Sequence, residues 1–146
     1  MKAMILAAGS SSRLGKLGQK VAKPMLPFLE KPLLEYVIYL LSQHGFNDLM
    51  INLFHLAASI KNHFGNGEPW KVNITYSLEP QLMGTAGAVT AVAEYFDKPF
   101  LVYYGDNLTN VNLSDLWESH QSSKALATIG LIRMSDPSTR GIVDLN

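Results

Sequence analysis

The sequence predicts an α/β fold with an open, mostly parallel sheet and helices on both of its faces. Two observations support this prediction. Apolar residues follow the period of a strand and the period of a helix in turn along the chain. Segments of the two kinds alternate, which is typical of parallel βαβ units. The chain has 146 residues, so we expect a single domain over 1–146.

The elements follow from these periods in chain order. The mostly apolar residues 1–7 predict a fully buried first strand. The first helix is predicted at 32–45, with Pro32 in its first turn and Gly45 at its C-terminal end. Further strands are predicted at 48–53, 72–77, 100–104 and 125–133, and further helices at 57–64, 85–96 and 113–122.

The end of the chain carries a separate expectation. Residues 141–145 have the sequence GIVDL, which is typical of a strand, and the chain stops directly after them at Asn146. Neither a turn nor a polar tail follows. We therefore expect the domain to be truncated on its C-terminal side.

Charge and composition exclude several classes of protein. The 12 Lys and Arg residues balance 12 Asp and Glu residues, so the chain offers no basic surface for nucleic acid. Without cysteine it can form no disulfide and no thiolate metal site, and a cytoplasmic location is the expectation. The longest apolar runs are too short for a membrane span, so we expect no membrane partner. Because the charges are balanced, we expect no nucleic-acid partner either.

The loop after the first predicted strand, residues 8–24, is rich in glycine and serine and contains no acidic residue. Its basic residues are Arg13, Lys16, Lys20 and Lys23. Consecutive backbone N–H groups in such a turn can hold an anion, and the basic side chains add charge-assisted hydrogen bonds. The loop therefore predicts a polyphosphate site. The alternative is a solvated surface loop.

Two common phosphate-binding motifs do not match this loop. A P-loop has four residues between its glycines and then Lys with Ser or Thr, whereas five residues separate Gly9 from Gly15 and Leu17 follows Lys16. A dinucleotide fingerprint needs a second glycine at position 11, where this chain has Ser11. The sequence thus argues against a P-loop NTPase and against a generic dinucleotide-binding domain.

Four segments in register resemble one known family. In chain order, LAAGSSSRL, KPMLPFLEKPLLEYVI, GTAGAV and YYGDN are similar to the motifs of the sugar-phosphate nucleotidyltransferases, the pyrophosphorylases that make nucleotide sugars. In this chain Ser11 stands where the family has Gly and Ala22 where it has Pro, whereas Arg13, Lys23 and Pro24 match. The resemblance extends over the whole chain and identifies it as the N-terminal portion of such a protein.

The resemblance implies a Rossmann-like sheet of the nucleotide-diphospho-sugar transferase type. It also implies an activity: a nucleoside triphosphate and a sugar 1-phosphate are joined, with release of pyrophosphate and with Mg²⁺ as cofactor. By the same resemblance, Arg13 holds the departing phosphates and Lys23 bridges the phosphates of donor and acceptor. The nucleotide-binding residues that it implies in the first loop are Leu6, Ala7, Ala8, Gly9, Ser10, Ser11 and Ser12.

A second implied site is the segment after the third long strand, where Glu79 corresponds to the residue that contacts the base. Gly84 corresponds to the glycine that lets the base approach the backbone, and Thr85 follows it. A carboxylate only accepts hydrogen bonds, so Glu79 predicts guanine, uracil or thymine, which carry an imino N–H. We expect a mannose-1-phosphate guanylyltransferase-like protein first and a sugar-1-phosphate uridylyltransferase next. The alternative is that Glu79 caps the following helix or faces water.

Two further positions complete the implied site. Asp106 follows a predicted strand, as the family's metal-binding aspartate does, and a carboxylate at a strand end suits Mg²⁺. Its alternative is an ordinary Asp-Asn turn. Gly141 resembles the glycine of the family's sugar-contacting segment. The family's second metal-binding aspartate would lie beyond Asn146.

Two alternatives to the enzyme remain open on the sequence. One is a non-catalytic nucleotide- or nucleotide-sugar-binding regulatory module that keeps the phosphate loop and lacks the acceptor half. The other is the generic dinucleotide-binding domain, disfavoured by Ser11. The four histidines are scattered without the spacing of metal ligands, and we assign them no chemistry. A homo-oligomer is compatible with the sequence, as is a monomer.

Overall fold

The structure is a computed structural model that describes residues 1–133, 136 and 143. It divides into two compact units, residues 1–111 and 112–146. The first unit is built on a four-stranded sheet with the strands β1 (Lys2–Leu6), β4 (Asp48–Leu53), β5 (Asn73–Leu78) and β6 (Leu101–Tyr104). The two-residue strands β2 (Pro27–Phe28) and β3 (Lys31–Pro32) pair with each other in an antiparallel hairpin.

All pairings in the large sheet are parallel, and the strand order is β5-β4-β1-β6. From β1 the chain first builds outward through β4 and β5, and then returns to add β6 on the other side of β1. The sheet order therefore reverses between β1 and β6. In open parallel sheets a ligand site lies beyond the carboxyl ends of the strands at this reversal. The predicted open parallel α/β fold is confirmed.

Both faces of the sheet are covered. Met4 of β1 and Met50 of β4 pack with Ala88 of the third helix on one face. Side chains alternate along a strand, so Ile5 and Ile51 point to the opposite face, and both are fully buried. Helices therefore cover two faces, as the sequence predicts.

The helices of the first unit follow the predicted order. Helix α1 (Leu33–Gln43) buries Leu34, Val37, Ile38 and Leu41, which recur at the spacing of one helical face. It ends before Gly45, whose φ of +77° is a left-handed conformation that favours glycine. Helix α2 (Ala57–Phe64) has the predicted bounds.

The third helix is shorter than predicted. Instead of one helix over 85–96, helix α3 covers Gly84–Thr90 and a separate 3-10 turn covers Ala93–Tyr95. The Thr90 hydroxyl donates to the carbonyl of Ala86 at 2.9 Å, a bond that weakens and bends a helix. Val92 then leaves the helical conformation, with φ of −124°.

The second unit contains helix α4 (Leu113–Ser123). Asn112 caps its N-terminus, because its side-chain oxygen accepts the N–H groups of Ser114 and Asp115 at 3.1 and 3.4 Å. The predicted strand at 125–133 is wrong, since none of these residues forms a strand and Leu126 and Ile132 are exposed. Apolar spacing favours a strand, but a strand also needs a hydrogen-bonding neighbour. The strand-like 141–145 lies outside the described residues apart from 143.

No helix in the described part of the chain has both the length and the apolar character that crossing a membrane requires.

Candidate active site

The candidate site lies where the loops after β1, β5 and β6 leave the carboxyl edge of the sheet. The strands are all parallel, so these loops leave the same edge of the sheet: β6 is adjacent to β1, and β5 is separated from β1 by β4 alone. The site combines three of the segments that the sequence singles out: the glycine- and serine-rich loop, the segment around Glu79 and the turn that contains Asp106.

The loop after β1 is held by the side chain of Ser11. The Ser11 hydroxyl accepts the backbone N–H of Lys23 at 2.9 Å, which joins the two ends of the loop. Ser11 is buried and adopts a φ of +55°, a left-handed conformation that favours glycine. The serine at this position therefore also supplies a hydrogen bond to the loop.

Gly18 supports the same loop by close approach. A Cβ at this position would lie 2.2 Å from the carbonyl oxygen of Ser11, so only glycine fits. His55 donates from Nε2 to the carbonyl of Gly18 at 2.7 Å. Neither residue was singled out from the sequence, and the spacing along the chain gives no signal for either contact.

The predicted residues of this loop differ in exposure. Leu6 ends β1, Ala7 and Ala8 are buried, Gly9 and Ser10 are exposed, and Ser12 begins a 3-10 turn. The side chain of Arg13 lies outside the described part of the structure, so its predicted role stays a prediction.

Lys23 and Asp106 form an ion pair between Nζ and Oδ2. Lys23 lies in the 3-10 turn Lys23–Met25 and Asp106 follows β6. The side chain of Lys23 is 48% exposed and that of Asp106 is 22% exposed. The fold thus brings together two of the residues predicted to be catalytic, with both charges still open to solvent on one side.

The turn around Asp106 is fixed by its neighbours. The Gly105 N–H donates to the carbonyl of Leu6 at 2.9 Å, which extends the β1–β6 pairing by one hydrogen bond. The hydroxyl of Tyr103 donates to the carbonyl of Asn107 at 3.2 Å, and burial raises the pKa of this tyrosine. Asp106 therefore lies in a turn that is held by hydrogen bonds on both sides of it.

The carboxylate of Glu79 is buried, with 5% of the residue exposed. Its Oε1 accepts from Nδ2 of Asn52 at 2.7 Å, and its Oε2 accepts the backbone N–H of Met83 at 3.1 Å. Asn52 in turn accepts the N–H of Ala7 at 2.8 Å. Asn52 was missed from the sequence, although a polar side chain within the apolar strand 48–53 was the available signal. Direct contact of Glu79 with a base stays a prediction.

Gly84 and Thr85 begin α3 beside this network. Gly84 has a φ of +68°, and a Cβ at this position would meet nothing within 4 Å. The space beside the backbone is therefore open here, and the contact of Gly84 with a base stays a prediction. The Thr85 hydroxyl lies 3.3 Å from that of Tyr104, linking α3 to β6. Gly141, the predicted sugar contact, lies outside the described residues.

An open parallel sheet with a glycine- and serine-rich loop after its first strand is typical of nucleotide-binding α/β domains. Residues 2–146 match the family model described as nucleotidyl transferase, and the chain belongs to this family. The resemblance identified from the four sequence motifs is confirmed.

Individual relatives agree with this assignment. The chain is 38% identical to the UTP–glucose-1-phosphate uridylyltransferase of Synechocystis sp., over 88% of this chain and 36% of that protein. It is 30% identical to the mannose-1-phosphate guanylyltransferase of Mycobacterium tuberculosis, over 97% of this chain and 40% of that protein. Other matched relatives include thymidylyltransferases.

A solved structure gives the same result for the fold. The crystal structure of HddC from Yersinia pseudotuberculosis complexed with GMP-PN superposes with a TM-score of 0.73 at 25% identity, over 82% of this chain and 53% of that chain. The chain thus spans between about a third and about a half of the length of these three proteins.

Proposed function

We propose that this protein transfers a nucleotidyl group from a nucleoside triphosphate to a sugar 1-phosphate and releases pyrophosphate. The observation that carries the proposal is the ion pair of Lys23 and Asp106 at the reversal of the sheet order. Family membership supports it, because the matched relatives are sugar-1-phosphate nucleotidyltransferases.

The reaction joins two anions. An oxygen of the sugar phosphate attacks the α-phosphorus, the bond from that phosphorus to the β-phosphate oxygen breaks, and pyrophosphate leaves with the electron pair. The protein must hold the two anions together and neutralise the leaving group. We assign Lys23 to the phosphates of donor and acceptor and Arg13 to the departing pyrophosphate.

Asp106 is the residue that would hold Mg²⁺. In the described part of the chain no three His, Cys, Asp or Glu side chains form a metal-binding group. A single carboxylate nevertheless suits Mg²⁺, which usually takes one or two carboxylates and fills its other positions with phosphate oxygens and water. When bound, the ion would offset charge on the phosphates.

The finer substrate assignment is also a proposal. The order of guanine first and uracil second depends on a direct contact between Glu79 and the base, and on the likeness of the EP and GTAGAV segments to mannose-1-phosphate guanylyltransferases. The matched relatives include guanylyl-, uridylyl- and thymidylyltransferases. We further propose a cytoplasmic location, on the lack of cysteine.

Pyrophosphate release by the full-length protein tests the proposal, since this chain spans only about a third to a half of the length of its relatives. Five triphosphates (ATP, CTP, GTP, UTP and dTTP) are each incubated with glucose, mannose or amino-sugar 1-phosphates and Mg²⁺. We expect release that needs both substrates, with GTP, UTP or dTTP preferred over ATP and CTP. Triphosphate binding without any release in the full-length protein would favour the non-catalytic regulatory module instead. Best turnover with ATP or CTP would contradict the predicted contact of Glu79 with the base.

A further inference from the structure

Three hydrogen bonds in series, two of them buried and the third part-buried, connect the loop after β1 with the segment before α3. The Ala7 N–H donates to Asn52 Oδ1 at 2.8 Å, Asn52 Nδ2 donates to Glu79 Oε1 at 2.7 Å, and the Met83 N–H donates to Glu79 Oε2 at 3.1 Å. Asn52 is 4% exposed and Glu79 is 5% exposed. We call these four residues the Asn52 relay.

The position of Asn52 in the sheet explains why it can link the two segments. Asn52 lies near the carboxyl end of β4, opposite Leu6 on one neighbouring strand and Ser77 on the other. The chain leaves β1 and β5 just beyond these two residues. A side chain at position 52 is therefore the one on β4 that stands between both departing segments.

The donor and acceptor pattern restricts which residues can form the relay. Both ends of the relay are backbone N–H groups, so each of the two side chains must offer an acceptor to the N–H beside it. Between the two side chains, one must donate and the other accept. Asparagine at 52 and a carboxylate at 79 meet this requirement. A glutamine at position 79 would fail in either amide orientation, because its NH₂ group would face either the Met83 N–H or Asn52 Nδ2.

We propose that Asn52 is a positioning residue for the nucleotide: through Glu79 it sets the distance between the phosphate-binding loop and the backbone at Met83 and Gly84. This inference rests on the proposed function, in which the phosphates lie on the first loop and the base on the segment 79–84. A ligand that spans two segments binds well only when both are held at the right separation before it arrives.

The relay can be broken and rebuilt with matched substitutions. Asn52→Asp places two carboxylates in contact, and Glu79→Gln places two donors in contact. The double variant Asn52→Asp/Glu79→Gln restores every bond: the new carboxylate accepts from Ala7 and from the new amide, whose oxygen accepts from Met83. The double variant also keeps the net charge of the wild type.

A control pair of the same chemistry lies on the same two strands. Asn73 Nδ2 donates to Asp48 Oδ1 at 3.1 Å, at the amino end of β5 and β4 and in an exposed position. The swap Asn73→Asp/Asp48→Asn should change the nucleotide affinity by less than about twofold, as is usual for surface substitutions.

Calorimetric titration of GTP and UTP with Mg²⁺, together with amide exchange at Ala7 and Met83 without nucleotide, tests the proposal. We expect Asn52→Asp and Glu79→Gln each to weaken binding by about tenfold or more, the scale of an unsatisfied buried group. Exchange at both amides should become faster. The KM for the triphosphate should rise more than kcat falls. The double variant should recover the nucleotide affinity and the protection of both amides.

Each other result is decisive. Wild-type affinity in Asn52→Asp, or a double variant that binds as weakly as the single ones or fails to fold, overturns the positioning role. A wild-type protein that binds no nucleoside triphosphate overturns the proposed function itself. That result is distinct from failure of the inference, which is judged from the variants of a wild-type protein that does bind.

Discussion

Lys23 and Asp106 pair with each other although they lie in loops that follow different strands. The pair exists because β1 and β6 are adjacent and parallel, so that the chain leaves both strands on the same edge of the sheet. Each charge offsets the other in the ligand-free protein. In the proposed reaction the Asp106 carboxylate would bind a metal ion and the Lys23 ammonium group would bind phosphate. The ion pair therefore lies where the metal ion and the phosphates are expected to bind.

In the full-length protein, Lys23→Ala should slow the turnover of nucleotide-sugar synthesis by an amount equivalent to about 2 to 4 kcal/mol of barrier, the scale of losing one preorganised charge. The same loss is expected for Arg13→Ala. The measurement is the rate of pyrophosphate release under saturating and limiting triphosphate. Lys98→Ala, which removes an exposed lysine away from the site, serves as the control. If Lys23→Ala and Arg13→Ala both showed the same kinetics as the wild type, the roles assigned to Lys23 and Arg13 would be contradicted.

Asp106→Asn should abolish Mg²⁺-dependent synthesis while the fold stays intact. The substitution keeps the shape of the side chain and removes the charge that a hard cation requires. Binding of Mn²⁺ in the presence of triphosphate, followed by electron paramagnetic resonance, measures the metal site directly, and circular dichroism checks the fold. The control is Glu94→Gln at an exposed position. Unchanged metal binding in Asp106→Asn would place the ion elsewhere.

Gly18→Ala should destabilise the loop after β1 by about 1 to 3 kcal/mol, the usual cost of overpacking. The added methyl group would lie 2.2 Å from the Ser11 carbonyl oxygen, which is backbone and cannot rotate away. Thermal unfolding measures the loss, and triphosphate titration should show weaker binding. Gly130→Ala meets nothing within 4 Å and is the matched control. Equal stability of the two variants would show that the loop adapts.

Glu35 should make stability depend on acidic pH. Burial raises the pKa of this carboxyl, but hydrogen bonds from Lys31, Trp70 and His63 outweigh it and hold the pKa below its usual value of 4.5. The folded state therefore binds the proton less readily than the unfolded state. The ionised Glu35 carboxylate therefore stabilises the folded state above about pH 4.5. This stabilisation is lost as the pH falls through the lower pKa that Glu35 has in the folded state.

Glu35→Gln tests this dependence. The variant should lose about 1 kcal/mol of stability near neutral pH and show a weaker dependence on pH below 4.5 than the wild type. Urea unfolding at several pH values measures both quantities. Glu30→Gln, at an exposed neighbouring position, is the control. A pH dependence that is identical in Glu35→Gln and wild type would assign the acid sensitivity to other groups.

Local patterns were enough to predict most of the fold. The strand at 48–53 and the helix at 57–64 have the predicted bounds, because apolar periodicity and a following glycine act over a few neighbouring residues. Family membership was predictable for a similar reason, since its motifs are short runs of sequence. The strand at 125–133 was mispredicted because a strand is completed by a partner, which apolar spacing does not specify.

The sequence by itself determined the alternation of strands and helices and the residue types of the site. Only the tertiary structure decided which of these residues meet. Ser11 with Lys23, Lys23 with Asp106, and Asn52 with Glu79 are contacts between segments far apart in the chain. Such contacts depend on the order of the strands and on the register between them. That order arises from the packing of the whole sheet, which no local window of sequence contains.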